Sequence, residues 1–180
     1  DSRWVENRSV LQQLLSIYMV LSSNRFAVTS NHSLVALHPL FLTSPIIQSI
    51  PALFSKHFDI HPIVFGIISI CSNLAQSSTP SAHHSSLEEG RHFLKSIHIF
   101  DVIKPAIPIY GYDAILRQNA ILIVKGIVEA IFVPIFTLES CFDSIVQGGA
   151  SVILALLNCS LSNEASVELA LQTIRVICSW

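Results

Sequence analysis

The chain has 180 residues, 51% of them hydrophobic and only 12% charged, with a net charge of −2 and a mean hydropathy of +0.59. That length allows one sizeable core. The ten basic residues form no run or stripe, which argues against nucleic acid as a partner, and the high hydropathy leaves two architectures: stacked helices that bury one another, or a helical membrane protein.

The first element is expected over Arg8–Ser22, where Val10, Leu14, Ile17 and Leu21 fall on one face of a helix. Two apolar segments follow, Ser33–Leu42 and "IIQSIPALF" at 46–54. No Asp, Glu, Lys or Arg occurs from Phe26 to Ser55, but Pro39, Pro45 and Pro51 divide that run into short helices rather than one membrane span. A second long helix is expected over Pro62–Gln76, with Val64, Ile67, Ile68, Cys71 and Leu74 in phase and a proline in its first turn. "SSTPSAHHSS", 77–86, cannot build a core and reads as a solvated loop.

Beyond the loop the same grammar returns. Glu88–Phe100 and "DVIKPAIPIY" at 101–110 precede a third long helix over Ala114–Ala130. Asp113 caps it, and Leu116, Ala120, Ile123, Val124 and Ile127 form its stripe. Ala120–Phe136 is the other apolar stretch of membrane length, but Lys125, Glu129 and Pro134 interrupt it. Leu138–Gln147 comes next, Gly148 and Gly149 are expected to break it, and Ala150–Leu157 forms a short helix. After a polar connection at Asn158–Asn163, Glu164–Cys178 completes the set, with Val167, Ala170, Leu171, Ile174 and Ile177 in phase. Leu171 and Ile174, central on that stripe, are expected in the core.

Corresponding positions on the long helices (Leu21, Leu74, Ile127, Ile177) recur about every 50 residues, a period that marks stacked helical repeats. "SIVQGGASVILALLNCSLSNEASVELALQTIRVIC" resembles an armadillo repeat: a first helix ending in a glycine turn, a short leucine-rich second helix, a polar loop and a long third helix. "IIQSIPALFSKHFDIHPIVFGIISICSNLA" is similar down to Ser72-Asn73-Leu74-Ala75, and "AILRQNAILIVKGIVEA" resembles a third helix. The resemblance implies an all-α, right-handed α-solenoid of about three and a half armadillo-like or HEAT-like repeats. As one domain over 1–180, its repeats would fall roughly at 1–24, 33–76, 88–130 and 138–180.

Candidate chemistry is sparse. The sequence holds no G-x-S-x-G, P-loop or G-x-G-x-x-G pattern. Asp101, Asp113, Glu129, Glu139 and Asp143 stand without an acid–base partner at any informative spacing, so no enzyme and no cofactor are expected. His57 and His61 are spaced for metal ligation, yet the helix boundary at Pro62 makes them solvated loop residues, as are His83 and His84. Cys71, Cys141, Cys159 and Cys178 lack metal spacing and read as small buried hydrophobes in a reducing compartment, which makes the expected location cytoplasmic.

What remains is the outward face of the long helices. In armadillo proteins the third helices line a groove, and nuclear-import adaptors of that family carry a Trp followed four residues on by an Asn on each. The equivalent pairs here are Ser69/Asn73, Leu122/Gly126 and Gln172/Val176, of which only Asn73 matches. The candidate partner-binding set is Ser69, Asn73, Arg117, Gln118, Lys125, Gln172 and Arg175, a mildly basic hydrogen-bonding face whose bland alternative is plain solvation. The expected function is a scaffold or adaptor for a protein or peptide, with no small-molecule substrate; a helical integral membrane protein is the competing reading. Stacked repeats also need polar terminal faces, and neither end supplies one, so apolar ends, head-to-tail self-association and membership of a longer solenoid are expected.

Overall fold

A computed structural model describes residues 6–23, 41–76, 84–131, 139–159 and 164–178. Among them the regular structure is helical and no strand occurs. In chain order the elements are α1 (Arg8–Ser22), α2 (Pro45–Gln48), α3 (Ile50–His57), α4 (His61–Ala75), α5 (His84–Ser96), α6 (Ile99–Ile103), a 3-10 turn (Lys104–Ala106), α7 (Ile107–Tyr110), α8 (Ala114–Ile131), α9 (Glu139–Cys159) and α10 (Glu164–Cys178). The four long helices stand within a residue of their expected limits.

Prolines set the short elements. Pro51 has no amide for the Ile47 carbonyl, so the run expected at 46–54 breaks between α2 and α3 at Ser49. Pro105 and Pro108 likewise cut the following segment into α6, the 3-10 turn and α7. The helix expected over Glu88–Phe100 stops at Ser96, where His98 takes a left-handed conformation (φ 51°). Its amide bonds back to Lys95, and its carbonyl accepts from Asp101 and Val102 to start α6.

Gly148 and Gly149 do not break a helix; α9 runs straight through them. A Cβ on Gly148 would stand 3.0 Å from the Phe100 ring, and one on Gly149 would stand 3.0 Å from Val124 Cγ1. The pair is there for close packing against α6 and α8, not for a turn. Most of the Ser33–Leu42 segment and residues 77–83 of the expected loop lie outside the described residues; residues 84–86 belong to α5, not to a loop.

α1, α4, α8 and α10 pack side by side in that order, each against the next. A second row is formed by α3, α6 and α9, with α7 also on α9, and α5 fits against α4, α6 and α8. The first three long helices run parallel. Leu15 lies against Gly66, and further along Met19 and Ser22 meet Asn73. Between α4 and α8 the sequence of contacts is His61–Asp113, Ser69–Asn119 and Ala75–Gly126. Hydrogen bonds joining α1 to α4 and α4 to α8 span 50 to 54 residues, and the Cys159 thiol reaches the Ile107 carbonyl across 52.

Because α4 lies between α1 and α8 and over α3 and α5, it is buried on most of its circumference: Ile63, Val64, Ile67, Ile68, Ile70, Cys71, Leu74 and Ala75 are all core. The outer helices bury less, and on different faces from those expected. α1 inserts Leu11 and Leu15 and leaves Val10, Ile17 and Leu21 exposed. α10, packed on α8 and α9, buries the small residues Ser166, Ala170 and Thr173. Leu171 is therefore 56% exposed and not core, while Ile174 is half-buried. Of the expected apolar ends, the α1 side carries such a surface; on α10, Glu168, Gln172 and Arg175 surround Leu171 with polar groups.

Candidate partner-binding surfaces

The structure divides the seven residues of the expected binding face. Ser69 is buried, and its Oγ accepts a hydrogen bond from Asn119 Nδ2 at 3.1 Å, tying α4 to α8. Asn73 Nδ2 donates to Ser22 Oγ (2.9 Å) and to the Met19 carbonyl (3.3 Å), tying α4 to α1. Arg117 is 3% exposed; its Nη1 donates to the Gly111 carbonyl at 2.9 Å and its Nε has no partner. Ser69 and Arg117 thus lie beneath the surface, drawn in by the close approach of neighbouring helices. Gln118, Gln172 and Arg175 are exposed on α8 and α10. Lys125, half-buried, faces Glu129 at 3.8 Å, an i,i+4 pair of small energetic weight.

A second cluster forms where the α3–α4 turn meets the α7–α8 turn. Asp113 is the N-cap of α8 as expected: its Oδ1 accepts from the amides of Ile115 (2.9 Å) and Leu116 (3.0 Å). Its other oxygen is 3.0 Å from His61 Nε2, so it is not an isolated carboxylate. Burial draws the Asp113 carboxyl upward, but the two amides and the His61 ring outweigh it and hold the group below its ordinary value of 3.8. The His61 ring stands edge-on to Tyr110 at 5.2 Å and is stacked on Phe65 at 6.1 Å. Burial and the nearby Asp59 charge both push the Tyr110 phenol above its ordinary value.

His57 is not a solvated loop residue. It closes the last turn of α3 and is buried. Among the described residues no three His, Cys, Asp or Glu side chains group closely enough to hold a metal ion. Cys71 is core, and burial pushes its thiol up to about 12; Cys159 is half-buried and Cys178 is exposed, so Cys178 is not a core hydrophobe. No described helix is long and apolar enough to cross a membrane. A cleft of about 70 Å³ between α5, α6 and α9 is lined by Leu94, His98, Phe100 and Gly148. Sites for small ligands are several times larger, roughly 300–1,000 Å³.

No protein-family model, no curated protein and no solved structure matches the chain. The His61–Asp113 contact was invisible to spacing rules because it joins residues 52 apart. The signal that leads to it is the matching position of the two residues, each at the start of a long helix.

Proposed function

We propose that the chain is a scaffold or adaptor built as a right-handed, armadillo-like α-solenoid of about three and a half repeats, binding a protein or peptide segment along its long helices. The observation that carries this reading is the similar offset, 50 to 54 residues, of the hydrogen bonds linking α1 to α4 and α4 to α8. A similar offset between parallel neighbours is what stacked repeats require, and stacking extends a surface without closing a catalytic pocket. Gln118, Lys125, Gln172 and Arg175 supply the accessible polar contacts, with half-buried Asn73 beside them. The free thiols Cys71, Cys159 and Cys178 suit a reducing, cytoplasmic setting. Self-association belongs to the same proposal, through the α1 face, where Val10, Ile17 and Leu21 are exposed.

Site-specific photo-crosslinking tests the binding face. A crosslinking side chain at Gln118 or Gln172 is expected to capture the same partner, whereas one at Gln48, on α2, captures none. Equal capture at Gln48, or none at either face position, refutes the proposal.

A further inference from the structure

Arg117, the fourth residue of α8, is 3% exposed. Its guanidinium is always charged, and a buried charge is costly unless it is paired. Nη1 donates to the Gly111 carbonyl at 2.9 Å. Nε is buried without a partner, and Nη2 makes no hydrogen bond to a described residue. No carboxylate among the described residues lies within ion-pair distance of the group. Asp113, four residues earlier, is engaged elsewhere: its Oδ1 accepts from the Ile115 and Leu116 amides, and its Oδ2 stands 3.0 Å from His61 Nε2. The open edge of the guanidinium is therefore the Nε–Nη2 side, whose two N–H bonds run parallel. The turn that holds the other side is tightly packed, since a Cβ on Gly111 would stand 2.8 Å from Cys159 Sγ and 2.6 Å from the Ile107 carbonyl oxygen.

We propose that Arg117 is a receptor for a carboxylate, held side-on by Nε and Nη2. Two parallel donors match the two oxygens of a carboxylate, and such forked, charge-assisted pairs are among the strong hydrogen bonds. One guanidinium balances one negative charge; the Asp113 carboxylate at the same helix start opposes the second charge of a phosphate. Access needs movement. At 3% exposure the anion enters by local opening of residues 111–113, which lie between α7 and α8 outside any helix. The site does not depend on the scaffold reading, because it requires an anion and not a partner along the long helices. The carboxylate comes from a free small acid or from an acidic side chain of a bound protein, and the test separates the two.

The Nε–H signal of Arg117, assigned by through-bond correlation, is followed in the full chain labelled with 15N. Sodium acetate is expected to shift it saturably, and sodium chloride at equal ionic strength is expected to leave it in place. Capped Gly-Asp-Gly binding at least about tenfold more tightly than acetate assigns the carboxylate to a protein, and equal affinity assigns it to a free acid. In Arg117→Lys, which keeps the charge but lacks the fork, the acetate-induced shifts of the 111–117 amides should need at least about tenfold more acetate. Should that variant not fold, the Nε–H signal of the wild type decides alone. A signal that ignores acetate, responds equally to chloride, or reports only a bound water overturns the proposal, as does full acetate affinity in folded Arg117→Lys.

Discussion

Gly126→Ala concentrates the packing logic of the fold in one methyl group. A Cβ at that position would stand 2.2 Å from the Ala75 carbonyl oxygen and 3.0 Å from its Cβ. The obstruction is the backbone end of α4, which cannot rotate aside as a side chain would, and Arg91 Nε already holds the same oxygen at 3.0 Å. Reaching even a 3.0 Å approach requires α8 to retreat by 0.8 Å, the difference between 3.0 and 2.2. A gap of that size forfeits roughly a quarter to a half of the dispersion energy at the contacts it opens, beginning with Ala75 at the end of α4. Overpacking costs about 1–3 kcal/mol, and an obstacle that is backbone oxygen at 2.2 Å puts this case at about 2–3 kcal/mol, of which alanine's better helix propensity returns about 1 kcal/mol. The expected net loss is about 1–2 kcal/mol in urea denaturation, with an unchanged slope. Gly149→Ala is the control: its new methyl meets a side-chain atom, Val124 Cγ1, at 3.0 Å, which can give by a few tenths of an ångström, so its loss should be smaller. A Gly126→Ala protein as stable as the wild type would refute the close α4–α8 crossing.

Three further outcomes follow from the same geometry. Leu15→Ala, at a fully buried contact with Gly66, should cost about 2–5 kcal/mol, whereas Leu171→Ala should cost less than about 0.5 kcal/mol because its side chain is exposed; equal losses in thermal melts would contradict the burial pattern of α1 and α10. In native protein an alkylating reagent should modify exposed Cys178 well before Cys71, whose buried thiol stays protonated at neutral pH with its value near 12; mass spectrometry finding Cys71 modified first would count against the central position of α4. The Asp113 carboxyl is depressed in the folded state, so its contribution is present above the ordinary value of 3.8 and disappears as pH falls through the lower folded value. Asp113→Ala should accordingly lose about 1 kcal/mol at neutral pH, with the gap to wild type shrinking below pH 3.8, and a gap that widens in acid would reverse the assignment.

Sequence pattern made the long helices legible because a 3.6-residue period survives in a single chain, and the caps that end them are local: Asn7 accepts from the Val10 amide, and Asp113 from Ile115 and Leu116. Which face each helix buries was legible only for α4 and α8. α4 is apolar nearly all round, and α8 has apolar residues at every level of its stripe, so both fill the space between two neighbours whatever their exact rotation. α1 packs on α4 alone among the long helices and α10 on α8 and α9, and there the decision falls to the shape of the neighbours. Gly66 offers a hollow to Leu15, which turns Val10, Ile17 and Leu21 outward. α10 turns the small residues Ser166, Ala170 and Thr173 inward, which leaves Leu171 in solvent. Hydrophobicity alone ranks Leu171 above Thr173 for burial; the packing of α10 on α8 and α9 reverses that order. The same logic explains the site residues. Ser69 and Asn73 read as a polar outer face, yet they are the groups that bridge helices at close range, where a buried hydroxyl or amide is tolerated because each has a partner across the interface. Between packed parallel helices, polar residues about 50 positions apart are therefore as apt to hold neighbours together as to face a ligand, and the residues free to recognise a partner are those the packing leaves exposed, among them Gln118, Gln172 and Arg175 on α8 and α10.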